Sequence, residues 1–306
     1  MHLFSNLNKA GFDAEQVSIF LHSLAQKYSF INYTSLGNSI LGKEIPLITL
    51  GSGERSLLYV GAHHGMEWVT AVVLCAFLQE LCEAMKQAHS LYGYSIPLLL
   101  STHTLALVPM LNPDGVSYQI HGIEPENPLY SRVLTMNGGD HDFSHWQANA
   151  RGVDLNHNYD AGFWDYKSLE LKNGIIQGAS TRYSGEAPES EPEVARLCNW
   201  IRFQRKLRGV LTLHTQGEEI YYKSAEKAAK GSEAIAKKMA QWSGYRLSEA
   251  KGLASYGGLT DWCIQTLGIP SFTLECGKGN NPLPASQAIS IYASLRKSLF
   301  LFPTLV

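Results

Sequence analysis

The feature that most constrains the fold of this chain is an apolar run that stops at a glycine, passes through a short polar turn and continues into a long apolar segment. Residues 56–61 have the composition of a buried strand, and residues 67–88 place apolar side chains at helical spacing. His63, His64 and Glu67 stand at the junction. A strand, a turn and a helix in this order predict an α/β unit, and such sheets carry functional groups at the carboxyl ends of their strands.

The polar residues of this turn are of the kinds that bind a metal ion. Imidazole nitrogen and carboxylate oxygen suit Zn²⁺. His63 lies four residues before Glu67 and His64 lies three before it. Either spacing brings the two groups to one side of a helical turn, so the residues leave the choice of histidine open. A His–Glu pair at this spacing is also common as a solvated surface contact, and the turn alone does not establish a metal site.

Composition indicates a globular protein whose function resides in a site. The chain has 306 residues, of which 45% are hydrophobic and 17% charged, and its formal net charge is −2. This balance gives no electrostatic basis for binding nucleic acid or a membrane surface. Neither an apolar run of about 18 residues nor the apolar centre of a secretory signal occurs, so a cytoplasmic location is expected. The five cysteines contain no CxxC pair, which favours free thiols.

Periodicity and turn residues predict an alternation of helices and strands in one domain spanning residues 1–306. The predicted helices cover 13–28, 67–88, 191–205, 225–242, 258–267 and 285–301, and the predicted strands cover 31–36, 45–50, 56–61, 105–108, 209–214 and 271–275.

Three local patterns qualify this prediction. Asn112, Pro113, Asp114 and Gly115 are residue types that indicate a turn. The segment 116–188 is rich in polar, glycine and aromatic residues and shows little periodicity, which predicts a long irregular wall of an active site. A serine, a proline and a glutamate at 190, 192 and 193 predict a capping box that opens the helix 191–205.

Two more predicted strands end in residues that suit the same site. His214 follows the apolar run 209–213, and Glu275 ends the run 271–275. Two histidines and a glutamate form a known catalytic zinc set, and a second glutamate outside the metal can act as general base. Arg151, in the irregular segment, offers positive charge to an oxyanion. Each residue also has a plainer explanation: a strand-end histidine can be a satisfied polar group, and Glu275 could pair with Lys278.

Taken together, these residues resemble the zinc carboxypeptidase superfamily. The motifs that carry the resemblance occur in family order: His64-Gly65-Met66-Glu67-Trp68, Asn112-Pro113-Asp114-Gly115, Arg151-Gly152-Val153-Asp154-Leu155-Asn156, the His214 strand and Phe272-Thr273-Leu274-Glu275. The resemblance implies one zinc ion held by His64, Glu67 and His214. It also implies carbonyl polarisation by Arg151, general acid/base work by Glu275, and a three-layer α/β/α fold with a mixed, twisted sheet of about eight strands.

The departures from that pattern concern the substrate. Exopeptidases of the superfamily hold a terminal carboxylate with an Asn-Arg pair, and this chain has Asn156-His157 there. The capping tyrosine of the superfamily would fall at Leu253, so Tyr256 would replace it only in a rearranged loop. Histidine is shorter than arginine and is often neutral near pH 7, which argues against simple carboxyl-terminal trimming.

The segments 156–163 and 275–282 are similar to the bacterial γ-D-glutamyl-L-diamino acid endopeptidase branch. That resemblance implies cleavage of the γ-D-glutamyl bond to meso-diaminopimelate or lysine in small peptidoglycan-derived peptides, with His157 and Lys278 receiving substrate carboxylates. Two enzyme alternatives are a metallocarboxypeptidase of broader specificity and an N-acyl amino acid deacylase. A non-catalytic muropeptide-binding protein is a third alternative, from another class.

Overall fold

Within residues 11–306, which this computed structural model describes, strands and helices alternate along most of the chain. The strands are β1 (Ile31–Asn38), β2 (Glu44–Leu50), β3 (Arg55–Val60), β4 (Ser90–Leu91), β5 (Tyr94–Ser95), β6 (His103–Val108), β7 (Leu207–His214), β8 (Glu219–Tyr221), β9 (Arg246–Leu247) and β10 (Ser271–Glu275). The α-helices are α1 (Ala14–Lys27), α2 (Val69–Lys86), α3 (Ile96–Thr102), α4 (Pro113–His121), α5 (Tyr130–Met136), α6 (Phe163–Lys172), α7 (Pro192–Phe203), α8 (Ser232–Ser243), α9 (Leu259–Trp262) and α10 (Gln287–Leu301).

Eight of these strands form one mixed sheet in the order β1, β2, β6, β3, β7, β10, β8, β9. The central strands β6, β3, β7 and β10 run parallel to one another. Strands β1 and β2 are antiparallel to their neighbours on one side, and β8 is antiparallel to β10 on the other. The mixed sheet of about eight strands that the sequence predicted is therefore confirmed.

Side chains of the central strands alternate between two cores because successive residues of a strand point to opposite faces. Leu57 and Tyr59 of β3 pack in a cluster with α1, α2, α8 and α10, whereas Leu58 and Val60 pack in a cluster with α7 and α9. This arrangement gives three layers, helices on both sides of the sheet, as expected. The ten residues 1–10 of the predicted domain lie outside the described residues.

The long apolar segment after the turn that carries His64 and Glu67 is a core helix. The helical stretch Gly65–Lys86 is long and apolar enough to cross a membrane, but 78% of its most apolar window is buried inside the protein. Its residues contribute to the cluster shared with α10. Burial against the sheet and α10 therefore accounts for its hydrophobicity.

Several predicted elements differ in the structure. Asn112 does not close a turn but caps α4, since its side chain accepts a hydrogen bond from the Gly115 amide at 2.9 Å and Pro113 occupies the first turn. The segment 116–188 contains most of α4 together with α5 and α6. Helix α6 buries Phe163, Tyr166 and Glu170, a helical spacing hidden in the sequence by the polar residues around it.

Two helix starts were also predicted wrongly. The capping box at Ser190 does not form: Glu191 occupies the N-cap position without a side-chain cap, and the Ser190 hydroxyl donates to the Glu191 carboxylate at 2.9 Å instead. The helix predicted at 225–242 begins only at Ser232. Residues before it form a turn closed by Gly231, which has a left-handed conformation with φ of 85°.

Candidate metal centre

The site lies where three neighbouring parallel strands end at the same edge of the sheet. Strand β3 ends at Val60 and leads into a short 3₁₀ turn, Gly65–Glu67, that His64 precedes. Strands β7 and β10 end at His214 and Glu275, which pair with each other in the register of the sheet. Parallel strands present their carboxyl ends together, so residues more than 200 positions apart in sequence meet at this edge.

His64, Glu67 and His214 form a tight group of metal-binding atoms. The Nδ1 atom of His64 lies 3.0 Å from Oε1 of Glu67, and the Nδ1 atom of His214 lies 3.1 Å from Oε2 of the same carboxylate. The two Nδ1 atoms are 3.3 Å apart. All three side chains are buried. The structure therefore brings together the three residues predicted as ligands.

His63 occupies a different position, which answers the question left open by the spacing. Its Nε2 atom lies 2.9 Å from the Tyr159 hydroxyl and its Nδ1 atom lies 3.3 Å from the Thr212 hydroxyl. The ring is fully buried beside the ring of His214. Because both ring nitrogens face hydroxyl groups, neither is directed at Glu67, and His63 contacts the site through the ring of His214.

A buried carboxylate orients His64. The Nε2–H group of His64 donates to Oδ1 of Asp154 at 3.0 Å, so its Nδ1 carries the lone pair that faces Glu67 and His214. The other carboxylate oxygen of Asp154 accepts a hydrogen bond from the Gln147 amide at 2.9 Å. A histidine ligand whose second nitrogen donates to a carboxylate is the usual arrangement around zinc in proteins.

Electrostatic interactions inside the group are strong because it is buried. Burial raises the pKa of Glu67, but the imidazoles of His64 and His214 outweigh this effect and lower it to about 2. Burial lowers the pKa of His64, while Glu67 and Asp154 raise it well above its usual range. The carboxylates therefore attract a positive charge to the Nδ1 atom of His64, and a divalent cation competes with the proton for that position.

The donor set fits zinc. Two imidazole nitrogens and one carboxylate oxygen converge, and the orientation of His64 by Asp154 leaves the correct nitrogen free. Three protein ligands leave a fourth position for water or substrate, as in catalytic zinc sites.

Glu275 stands beside this group without belonging to it. It ends β10 next to His214 and is partly exposed to the cavity in front of the sheet. Burial raises the pKa of Glu275 well above its usual range, and repulsion by Glu67 acts in the same direction. A carboxyl group in this environment is suited to exchanging protons with a bound substrate.

A cavity of about 410 Å³ opens over the group formed by His64, Glu67 and His214, which is called the metal group below. Its wall contains Gln147, Asn156, His157 and Arg182, and polar side chains such as Thr260 and Asp261 continue it. Burial raises the pKa of Asp261. A cavity this polar suits a substrate rich in hydrogen-bonding and charged groups.

Asn156 and His157, both predicted to contact substrate, line this cavity. The carbonyl oxygen of the Asn156 side chain accepts a hydrogen bond from the Leu259 amide at 3.2 Å. His157 is packed tightly: its Nδ1–H donates to the Tyr256 carbonyl oxygen at 2.8 Å, and its ring stacks on Tyr166 with the centroids 3.8 Å apart. Only 7% of His157 is exposed.

Three other predicted site residues do not line the cavity. The Arg151 guanidinium donates to the Glu191 carboxylate at 3.0 Å and to the Ser190 carbonyl oxygen, and it borders a separate cavity. Lys278 pairs with Glu218 at 2.8 Å at the surface. The ring of Tyr256 packs against the backbone at Gly162 instead of reaching over the metal group. Partners contributed by distant segments hold each side chain elsewhere.

Sequence reasoning missed three residues of the site. Asp154 belonged to a motif that was recognised, and its carboxylate could have been expected behind a histidine ligand. Gln147 and Arg182 gave no signal because they lie in loops, and loops reach the cavity only through tertiary contacts.

Fold and site together define a zinc metallopeptidase, and comparison with known proteins assigns the class. The family model described as zinc carboxypeptidase matches residues 17–297, and the chain belongs to this family. It is 35% identical to γ-D-glutamyl-L-diamino acid endopeptidase 1 of Lysinibacillus sphaericus over 272 residues, which cover 89% of this chain and 67% of that protein.

Solved structures share the fold. Bovine thrombin-activatable fibrinolysis inhibitor superposes with a TM-score of 0.73 at 18% identity, covering 97% of both chains. The murein-tripeptide amidase MpaA of Escherichia coli O157 superposes with a TM-score of 0.54 at 21% identity, covering 88% of this chain and 91% of that one.

Proposed function

We propose that this metallopeptidase hydrolyses the amide bond between a γ-D-glutamyl residue and meso-diaminopimelate, or L-lysine, in peptides derived from peptidoglycan. The observation that carries the proposal is the group of His64, Glu67 and His214 beside Glu275, in a cavity whose position 157 is a packed histidine. The endopeptidase from L. sphaericus supports the choice of bond by its name.

In this proposal His64, Glu67 and His214 hold one zinc ion, with Asp154 fixing the ring of His64. Bound zinc supplies Lewis-acid chemistry, which polarises a carbonyl group and makes water more acidic. The residues of the chain do the remaining work. Glu275 takes a proton from the water whose oxygen attacks the γ-carbonyl carbon, and it returns the proton to the amine nitrogen as the C–N bond breaks.

Asn156 and His157 are proposed to contact the substrate from the cavity wall. The amide nitrogen of Asn156 can donate to a carbonyl or carboxylate oxygen, because its side-chain oxygen already accepts from Leu259. His157 donates through Nδ1 to a carbonyl, which leaves Nε2 as an acceptor in the neutral ring. Residues 1–306 are proposed to act as one catalytic domain, and the cytoplasmic location expected from the sequence stays a prediction.

Mass spectrometry of a peptide panel digested by zinc-loaded protein tests the proposal. The panel contains γ-D-glutamyl-meso-diaminopimelate and γ-D-glutamyl-L-lysine peptides, the α-linked counterparts, and N-acyl amino acids. We expect cleavage at the γ-linked bond at a rate at least 10-fold above that on any α-linked peptide. Faster turnover of α-linked peptides would favour a broader carboxypeptidase, and faster turnover of acyl amino acids would favour a deacylase.

The variant Glu275→Gln tests the assignment of the base. Glutamine keeps the shape of the side chain but cannot accept the proton, so we expect turnover to fall by about 10²- to 10⁴-fold. Zinc content should remain one ion per chain, because Glu275 does not belong to the ligand group. A variant that retains the wild-type rate would refute the assignment.

A further inference from the structure

Arg182 is an arginine in the wall of the metal cavity that the mechanism above does not use. Its side chain is exposed, and in the described part of the chain the guanidinium makes no hydrogen bond or ion pair with protein. Lys223, another cation of this wall, is paired with Glu249 at 2.7 Å. Arg182 therefore presents an uncommitted guanidinium to whatever occupies the cavity.

Backbone contacts hold Arg182 in place. Its amide donates to Oδ2 of Asp154 at 3.3 Å, and its carbonyl oxygen accepts from the Tyr166 hydroxyl at 2.9 Å. The neighbouring carbonyl of Tyr183 accepts from the Asp154 amide at 2.7 Å. The same carboxylate that orients His64 thus also positions the backbone of Arg182.

The conformation of Arg182 is one that arginine rarely adopts. Its φ is 66°, in the left-handed region, where a residue with a Cβ is strained. Glycine or asparagine would fit this position at lower cost. An arginine held in a strained conformation at the edge of a catalytic cavity points to a use for its side chain.

Two of the positions from which the sequence predicted positive charge lie outside the cavity. Arg151 is neutralised by Glu191 outside the cavity, and Lys278 is paired with Glu218 at the surface. His157 is stacked on Tyr166, whose hydroxyl bonds to the backbone of Arg182. His157, Tyr166 and Arg182 therefore form one continuous piece of wall, and Arg182 adds to it a guanidinium with a free hydrogen-bonding edge.

We propose that Arg182 binds a carboxylate of the substrate and determines the preference for it. The planar guanidinium can bind a carboxylate through two parallel hydrogen bonds, which lysine or histidine cannot do. This inference rests on the proposed function, whose substrate carries two such groups near the scissile bond: the α-carboxylate of the γ-linked glutamyl residue and a carboxylate of the diamino acid.

Steady-state kinetics on paired substrates tests the inference. Each γ-D-glutamyl peptide is compared with a form in which the glutamyl α-carboxylate is amidated and with a form in which the diamino acid carboxylates are amidated. The proteins are wild type, Arg182→Gln, Arg182→Lys and the control Arg132→Gln. Arg132 is an exposed arginine that borders the separate cavity beside Arg151.

We expect Arg182→Gln to reduce kcat/KM at least 30-fold on the peptide with free carboxylates. On the form that lacks the recognised carboxylate, the loss should be less than 3-fold, and Arg182→Lys should lie between. Arg132→Gln should behave as wild type, and all variants should bind one zinc ion. The amidation that abolishes the difference between wild type and Arg182→Gln identifies which carboxylate is bound.

Equal losses on all forms, or no loss on any, would overturn the inference. Equal losses would mean that Arg182 acts on a group common to every substrate or supports the wall. If the wild-type protein cleaves only α-linked peptides, the proposed function fails instead. In that case kcat/KM of the wild type and of Arg182→Gln is compared on the free and amidated forms of the α-linked peptides, and this comparison still decides whether Arg182 binds a carboxylate.

Discussion

At the scale of single residues, one buried carboxylate connects the metal group to the substrate wall. Asp154 accepts hydrogen bonds from the ring of His64, from the side chain of Gln147 and from the backbone amides of Asn156 and Arg182. Burial raises the pKa of Asp154. The attraction of the charged His64 ring is the largest of the effects that outweigh burial and hold this pKa far below its usual range. Asp154 therefore remains ionised and fixes the ring orientation of His64.

Replacing Asp154 by Asn should weaken zinc binding by about 10- to 100-fold, because the ring of His64 loses its charged partner while the shape of the side chain is kept. Competition with a chromophoric chelator at pH 7 measures the affinity. Asp165→Asn, at an exposed position in α6, is the matched control and should bind zinc as the wild type does. Unchanged affinity in Asp154→Asn would contradict the orienting role.

At the scale of elements, the turn that carries His64 and Glu67 depends on a close approach between two segments of backbone. A Cβ atom added at Gly65 would lie 2.4 Å from the carbonyl oxygen of Gly115 in α4 and 2.8 Å from that of Trp146. The Gly65 amide donates to the Gln147 carbonyl at 2.9 Å. Only glycine lets the turn pack this closely, so the turn, α4 and the loop at 146–148 form a unit.

Gly65→Ala should lower the free energy of unfolding by about 3 kcal/mol, since backbone atoms must move to make room for the methyl group. Zinc affinity should also fall, because the moving turn carries His64 and Glu67, two of the proposed ligands. Gly138→Ala is the comparison: no atom lies within 4 Å of the added Cβ there, and its φ of 69° predicts a loss of only about 1 kcal/mol. Urea unfolding measures the free energy of unfolding of both variants. Equal losses in Gly65→Ala and Gly138→Ala would argue against the close approach.

At the scale of the whole molecule, the buried carboxyl group of Glu193 couples stability to pH. Glu193 is fully buried at the start of α7, with Oε1 lacking a hydrogen-bond partner among the described residues. Burial raises the pKa of Glu193 to about 8, and the nearby carboxylates of Glu191 and Asp114 contribute in the same direction, while a hydrogen bond from Asn149 opposes them. The unfolded chain therefore loses this proton near pH 4.5, whereas the folded protein keeps it to about pH 8.

Because the pKa of Glu193 is raised in the folded state, this carboxyl group stabilises the folded protein at low pH. That contribution to the free energy of unfolding is lost as the pH rises. Between about pH 4.5 and 8 the free energy of unfolding should decrease by up to about 1.4 kcal/mol per pH unit from this group. Glu193→Gln mimics the protonated form and should flatten that slope. Urea unfolding at several pH values tests this, with Glu124→Gln at an exposed position as control. A slope in Glu193→Gln equal to that of the wild type would rule out a contribution from Glu193.

The sequence by itself determined the central strands and the long helices of the core, and which residues end the strands of the site. Period-two and helical patterns are local, so the runs 56–61, 209–214 and 271–275 could be recognised without a structure. The resemblance to a family then singled out His64. The polar region after residue 115 was harder, because the helical spacing of Phe163, Tyr166 and Glu170 stands among polar neighbours.

Only the tertiary structure decided which charged side chains reach the cavity. A long side chain on a loop is directed by its partners, and the partners of Arg151 and Lys278 come from distant segments, as do the backbone contacts that direct Arg182. A ligand at a strand end is placed by the hydrogen-bond register of the sheet, which follows from local pattern. A loop arginine is placed by competition among non-local ion pairs and hydrogen bonds, and for this reason Arg182, not Arg151, lines the cavity over the metal centre.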